Sequence, residues 1–206
     1  DAVLRRAFAH FRPPPKQDLA TWMEANIRLP MGATAMPGKI RLHVHQRGIA
    51  DAISDPEIER VTVQKSARVG YSTLLVGMVG AYVENEPAPI LAVLPTESDA
   101  RAFVVDQIEP VFEASPALRG KLGAGADESG RNTLVHRRFP GGSLKIVPAK
   151  APRNLRAHTA RILIIDEADA METTLEGSPI KLAEMRTLTF RDRKIITGST
   201  PVCQET

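Results

Sequence analysis

Short apolar runs alternate with amphipathic stretches along most of the chain. Arg60 to Gln64 (Arg-Val-Thr-Val-Gln) reads as a β-branched strand. Ile90 to Leu94 and Arg161 to Ile165 are continuous apolar runs of the fully buried kind, and Lys194 to Thr197 is a last strand. Helical spacing runs over His43–Ser54, Ser72–Glu84 and Ser98–Glu113. Gly77 and Gly80 weaken the second of these, and Pro110 predicts a kink in the third. Ser178-Pro179 resembles a helix start, with proline at the first helical position. Thr133–Phe139 and Ser143–Val147 flank Pro140, Gly141 and Gly142, which predicts a hairpin. Residues 116–130, rich in Gly, Ala and charge, read as a mobile loop. Apolar strands alternating with helices predict an α/β fold: a mainly parallel sheet covered on both faces. The first forty residues differ. They carry Pro13, Pro14 and Pro15, a helical pattern from Asp18 to Asn26, and a Pro/Gly-rich stretch from Pro30 to Gly38. Proline breaks regular ladders, so residues 1–40 are expected to form an arm that wraps a domain at 41–206, with Trp22 as its anchor.

Composition narrows the class. A chain of 206 residues with 43% hydrophobic and 25% charged residues builds a core without staples, which excludes a fibrous or wholly disordered protein. No run reaches the about 18 apolar residues of a membrane span, and Asp1 to His10 do not read as an export signal. Cys203, the single cysteine, makes neither an internal disulfide nor a cysteine-cluster zinc site, and implies a reducing compartment. The five histidines lack metal-ligand spacing. No Gly-x-Ser-x-Gly elbow surrounds Ser66 or Ser199, so serine-hydrolase chemistry has no support. A net charge of +3 is compatible with a polyanionic partner but does not identify one.

The most informative stretch is Gln64-Lys65-Ser66-Ala67-Arg68-Val69-Gly70-Tyr71-Ser72-Thr73, between a strand and a helix. A helix N-terminus offers unpaired amides and a dipole that favours anions. The usual phosphate loop reads Gly, four residues, then Gly-Lys-Ser/Thr. Anchored on Gly70, Ser72 takes the magnesium-ligating hydroxyl position, Tyr71 the place of the usual lysine and Lys65 that of the first glycine. Phosphoryl transfer still requires a cation at the β- and γ-phosphates. Lys65 can swing over them and Arg68 can add a second charge; a solvated basic turn is the plain alternative. Ile162 to Ile165 run into Asp166 and Glu167 at the expected carboxyl edge of the sheet, where ligands of open parallel sheets collect. Asp166 would hold magnesium through its water shell and Glu167 would activate the attacking water. Asp169 completes an Asp-Glu-Ala-Asp spelling without a clear role beyond a local cap or pair.

Other segments carry weaker signals. Thr197-Gly198-Ser199-Thr200-Pro201 could sense the γ-phosphate or be an ordinary Gly/Ser turn. Gln46 suits the edge of adenine, against a plain surface glutamine. Thr96 or Ser98 reads as a helix cap. Lys150, Arg153, Arg156, His158 and Arg161 form a basic stretch able to track phosphates, or a solvated face.

Taken together, 65–72, Leu-Ile-Ile-Asp-Glu-Ala-Asp at 163–169 and Thr-Gly-Ser-Thr-Pro at 197–201 resemble the packaging ATPase of the large terminase subunit of lambda-like tailed phages. The lysine at the front of the loop and the tyrosine before its serine are the most specific shared features. The resemblance implies an additional-strand P-loop NTPase fold, ATP hydrolysis with Mg2+, and translocation of double-stranded DNA into a procapsid. It implies ATP contacts along 65–73, phosphate contacts from Lys65 and Arg68, and metal organisation by Ser72 and Asp166. It also implies Glu167 as the catalytic carboxylate, Gln46 as adenine reader and Thr197 to Thr200 as a coupling motif. Lys150, Arg153 and Arg156 become DNA-contact candidates. The implied partners are a small terminase subunit, a portal and further copies in a homo-oligomeric ring, in the cytoplasm of a bacterial host. The family's C-terminal nuclease is not expected within these 206 residues. A helicase-like ATPase and a non-hydrolysing nucleotide-binding or docking module are the competing readings.

Overall fold

Backbone amides and carbonyls buried under apolar side chains must pair with one another, and the apolar runs do so in one sheet. The computed structural model describes residues 16–32, 36–123, 133–156 and 158–201. Pro13 to Pro15, Cys203 and the part of the expected loop from 124 to 130 lie outside the described residues. The strands are β1 (Arg28–Leu29), β2 (Gly38–Lys39), β3 (Arg60–Gln64), β4 (Ile90–Leu94), β5 (His136–Phe139), β6 (Gly142–Pro148), β7 (Ile162–Asp166) and β8 (Lys194–Ser199). β1 and β2 pair antiparallel as a separate small ribbon. The main sheet has the order β3-β8-β7-β4-β6-β5, parallel throughout except for the β5–β6 hairpin. β8 therefore lies between β3 and β7, the additional strand that the resemblance implies.

Burial alternates along the central strands as a sheet covered on both faces requires. Ile90, Ala92, Ile162, Ile164 and Ile196 join the larger core, while Leu91, Val93, Leu163, Ile165 and Ile195 join a second one. The larger core is roofed by α1 (Leu19–Asn26), α2 (Val44–Ser54), α3 (Tyr71–Glu84), α4 (Glu97–Ala102) and α5 (Glu109–Ala114). The second lies under α6 (Pro152–Arg156) and α7 (Pro179–Glu184).

Three expectations need correction. The helix over Ser98–Glu113 is not continuous: a π-helical segment, Phe103–Ile108, separates α4 from α5. Pro110 has no amide to donate and its ring crowds the carbonyl four residues back, so the turn before it widens. The last strand runs on through Ser199, so Thr197 to Ser199 are not a turn. The arm does more than wrap. Trp22, Met23 and Ile27 enter the main core, and α1 is capped by the Asp18 carboxylate, which accepts from the Thr21 amide. Thr96 caps α4 through a reciprocal pair with Asp99, as expected.

The glycines that weaken the α3 helical pattern are there for space. A methyl group at Gly80 would sit 2.8 Å from Leu118 Cδ1 and 3.2 Å from the Trp22 ring. Alanine ordinarily stabilises a helix interior by about 1 kcal/mol over glycine. At Gly80 the overpacking prevails, so Gly80→Ala is expected to lose about 1–3 kcal/mol in urea denaturation. A gain would show that α1 does not pack on α3 this tightly.

Candidate nucleotide-binding site

The topology brings three chain ends to one edge. β3 runs into the phosphate loop, β7 ends at Asp166, and β8 ends between them. Gln64 pairs with Ser199, and Asp166 with Gly198. The Lys65 amide extends the ladder by donating to the Ser199 carbonyl at 3.0 Å. Neighbouring strands lie about 4.8 Å apart, so β3 and β7 are about 10 Å apart across β8. A long side chain can close that gap, and Lys65 does. Its Nζ lies 2.5 Å from Glu167 Oε1, 3.9 Å from Asp166 Oδ1 and 3.1 Å from Thr200 Oγ1. Its side chain is only 9% exposed. The same ammonium sits 5.4 Å from the centroid of the Tyr71 ring, within cation–π range.

The two acids differ electrically. Glu167 adopts a left-handed backbone (φ 53°). Thr200 N–H donates to its Oε2 at 3.2 Å. Partial burial opposes its charge, but hydrogen bonds from Lys65 and Thr200 and the Lys65 charge outweigh that and hold Glu167 below the ordinary carboxylate range. Asp166 is buried, and burial pushes its pKa up despite the attraction of Lys65, with the Glu167 charge adding to the rise. Its Oδ1 accepts the Glu167 amide at 3.0 Å. A buried carboxylate with incomplete compensation is a fitting ligand for a cation. Among the described residues no cluster of three or more His, Cys, Asp or Glu exists. Magnesium suits such a sparse donor set, because it takes one or two carboxylates and keeps its waters or phosphate oxygens.

The loop itself turns at Arg68, exposed with φ 62°, and at Gly70, φ 74° and N-cap of α3. Gly70 also has no room for a side chain, since a methyl there would lie 2.4 Å from Gln46 Nε2. Ser66 and Ala67 are exposed; Val69, Ser72 and Thr73 are half-buried. Ser72 and Thr73 line a small cavity with Leu29, Pro30, Asp106 and Gln107. Ser72 is thus on the first turn of α3, but no contact between it and Asp166 closes the expected metal pair. A second cavity, of 250 Å³, opens beside the loop between His45, Gln46, Ile49, Val63 and Val69. Two larger cavities lie away from this edge.

Gln46 is not a surface glutamine. It is buried, its Oε1 accepts the His43 amide at 2.9 Å, and its Nε2 donates to the Val69 and Gly70 carbonyls at 3.2 Å each. Its amide thus ties α2 to the phosphate loop in the very groups an adenine edge would use. The His43-x-x-Gln46 spacing was the available signal: it is a capping box with histidine in the cap. The basic stretch is not one patch. Arg156 and Arg153 reach Glu176, at 2.6 and 3.9 Å, while Lys150 is exposed in the turn after β6. Arg161 is half-buried at the far end of β7, paired with Glu86 and Asp192. Asp169 meets the coupling segment through its amide, which donates to Ser199 Oγ at 3.0 Å.

Comparison with known proteins follows the same lines. The sequence model of the family described as "Phage terminase large subunit gpA, ATPase domain" matches residues 34–206. The chain belongs to that family. It is 34% identical to the terminase large subunit of Escherichia phage lambda over 194 residues, which is 93% of this chain and 30% of that protein. It is 30% identical to the terminase large subunit of Enterobacteria phage P21 over 183 residues, 87% of this chain and 28% of that one. The chain thus spans less than a third of the length of these curated relatives. The crystal structure of the HK97 bacteriophage large terminase superposes with a TM-score of 0.71 at 14% identity, over 90% of this chain and 37% of that one. The Thermus phage P74-26 large terminase ATPase domain gives 0.55 at 21% identity, over 80% of this chain and 67% of that one. These structures establish the fold as that of terminase ATPase domains, an α/β P-loop type. No described helix is long and apolar enough to cross a membrane.

The buried carboxylate of the candidate site carries a cost. The raised pKa of Asp166 means that its charge is less favoured in the folded than in the unfolded chain. Ionisation therefore costs stability as pH rises through that value. Asp166→Asn keeps an acceptor for the Glu167 amide and removes the buried charge. At pH 7 without nucleotide it is expected to raise Tm by about 2–4 °C, the shift about 1 kcal/mol makes in a chain of this size. A lower Tm would mean that the Lys65 attraction outweighs burial.

Proposed function

We propose that this ATPase domain binds ATP with Mg2+ along residues 65–73 and hydrolyses it to drive double-stranded DNA into a procapsid. The observation that carries the reading is the convergence of Lys65, Asp166, Glu167 and Thr200 across the interposed strand β8. In this reading the Lys65 ammonium leaves Glu167 for the β- and γ-phosphate oxygens, where negative charge develops, and Arg68 adds charge from the exposed tip of the loop. Ser72 and Asp166 would hold the magnesium, which neutralises phosphate charge when bound. Once released from Lys65, Glu167 orients a water and takes its proton as the water oxygen bonds to the γ-phosphorus. The bond from that phosphorus to the bridging oxygen breaks, giving ADP and phosphate. Glu167 is ionised in the empty site, where Lys65 and Thr200 hold it below the ordinary carboxylate range, and the departure of Lys65 makes it a stronger base. Its bond to the Thr200 amide links the reacting group to the end of β8, so that Thr197 to Thr200 transmit the loss of phosphate.

The wider assignments rest on the same family likeness. The domain would work in the cytoplasm of a bacterial host, as a homo-oligomeric ring, with a small terminase subunit and a portal. Lys150, Arg153 and Arg156 are the DNA-contact candidates, and the Arg153 and Arg156 pairs with Glu176 are exposed enough for phosphates to compete. Gln46 would meet adenine only after giving up its bonds to the loop.

Glu167→Gln is expected to cut ATP turnover by about 10²–10⁴-fold while leaving a fluorescent ATP analogue bound. Turnover at the parent rate would remove Glu167 from the base's role. Lys65→Ala is expected to weaken binding of that analogue and to abolish turnover. Normal binding and hydrolysis by Lys65→Ala would mean that another group supplies the cation.

A further inference from the structure

Tyr71 stands where most phosphate loops carry lysine, and its surroundings show what it does instead. Its side chain is buried, at 4% exposure, on the first turn of α3. Its hydroxyl has no hydrogen-bond partner. The ring is the part in contact. One face lies under the Lys65 ammonium, 5.4 Å from the centroid. Its edge lies flat on β8 at Gly198: a methyl group there would fall 2.3 Å from Cε1, 2.4 Å from Cζ and 2.5 Å from Oη. Contacts that short cannot exist, so position 198 admits no side chain while the ring is in place. Gly198 is also the residue paired with Asp166 in the β7–β8 ladder. The ring thus touches both the loop's cation and the strand on which the coupling segment is built.

We infer that Tyr71 is a positioning residue whose ring shelves the Lys65 ammonium and gauges the place of β8, so that nucleotide occupancy and the 197–200 segment move together. The inference rests on the ATPase reading above and adds a relay to it. When Lys65 moves onto phosphates, the cation leaves or shifts on its shelf. The ring has no hydrogen bond to restrain it, and its next neighbour is Gly198. Aromatic faces hold cations by electrostatics without fixing one geometry, which suits a lysine that must travel between a carboxylate and a phosphate. The exchange of lysine for tyrosine at position 71 is compensated in this way: the cation comes from the front of the loop, and the ring keeps it in the site.

The test uses the full-length chain, with ATP turnover followed against ATP concentration in the presence and absence of duplex DNA. Gly198→Ala drives the ring off β8 and is expected to lower kcat at least about tenfold. Adding Tyr71→Leu in that background frees the space and is expected to restore at least about fivefold of the loss. Tyr71→Leu alone is expected to raise KM for ATP about tenfold and to reduce the stimulation of turnover by DNA, whereas Tyr71→Phe, which keeps the ring, brings KM back to within about threefold of the parent. A double variant no faster than Gly198→Ala would overturn the inference. So would Tyr71→Leu variants that lose thermal stability without moving KM or the DNA stimulation, since packing alone would then explain the contact. Turnover by the parent chain tests the ATPase reading separately from these ratios.

Discussion

One ion pair organises this molecule. Lys65 leaves the end of β3 and reaches Glu167 beyond the end of β7, 2.5 Å from nitrogen to oxygen. The two residues come from separate strand–helix units, and nothing local in the chain holds them together. A largely desolvated ammonium needs compensation, and here two carboxylates and a threonine hydroxyl provide it. Such a cluster is stable but unspent: each member faces a partner that a triphosphate and its metal could replace.

The order of the strands turns that site into a transmitter. Because β8 lies between β3 and β7, every contact from the loop to the acids passes over it or bonds to it. Thr200 donates its amide to Glu167 and its hydroxyl oxygen accepts from Lys65, and Ser199 accepts from the Lys65 and Asp169 amides through its carbonyl and hydroxyl. In the proposed reading, a change in charge at the phosphates alters hydrogen bonds at the end of this strand.

Much of this was legible in the residues. β3 and β4 match their expected bounds for different reasons: β3 is a β-branched alternation between Arg60 and Gln64 at an edge of the sheet, and β4 is a short, fully buried apolar run closed by Pro95. The meeting of Lys65 with Asp166 and Glu167 was expected because phosphate chemistry leaves few residue types to choose from, and the three side chains do converge. Other features depend on contacts that no local pattern encodes. The π-helical turn before Pro110 was visible only as a kink, since the backbone can answer a proline by bending or by widening. Gln46 offers the same amide to a base edge or to a backbone, and only the fold puts the Val69 and Gly70 carbonyls in front of it. Arg161 looked continuous with Arg156, yet it opens β7 and pairs with Glu86 and Asp192, while Arg156 pairs with Glu176. The fit of Tyr71 against Gly198 joins positions far apart in sequence, where a tyrosine and a glycine each look ordinary.

The central claim is that a lysine from the front of the loop serves as the cation of the nucleotide site. A crystal structure of the chain with magnesium and a non-hydrolysable ATP analogue tests it most directly. The account requires Lys65 Nζ to have left Glu167 and to lie within about 3.2 Å of a β- or γ-phosphate oxygen. Lys65 still paired with Glu167, with the phosphates bound by other residues, would contradict it.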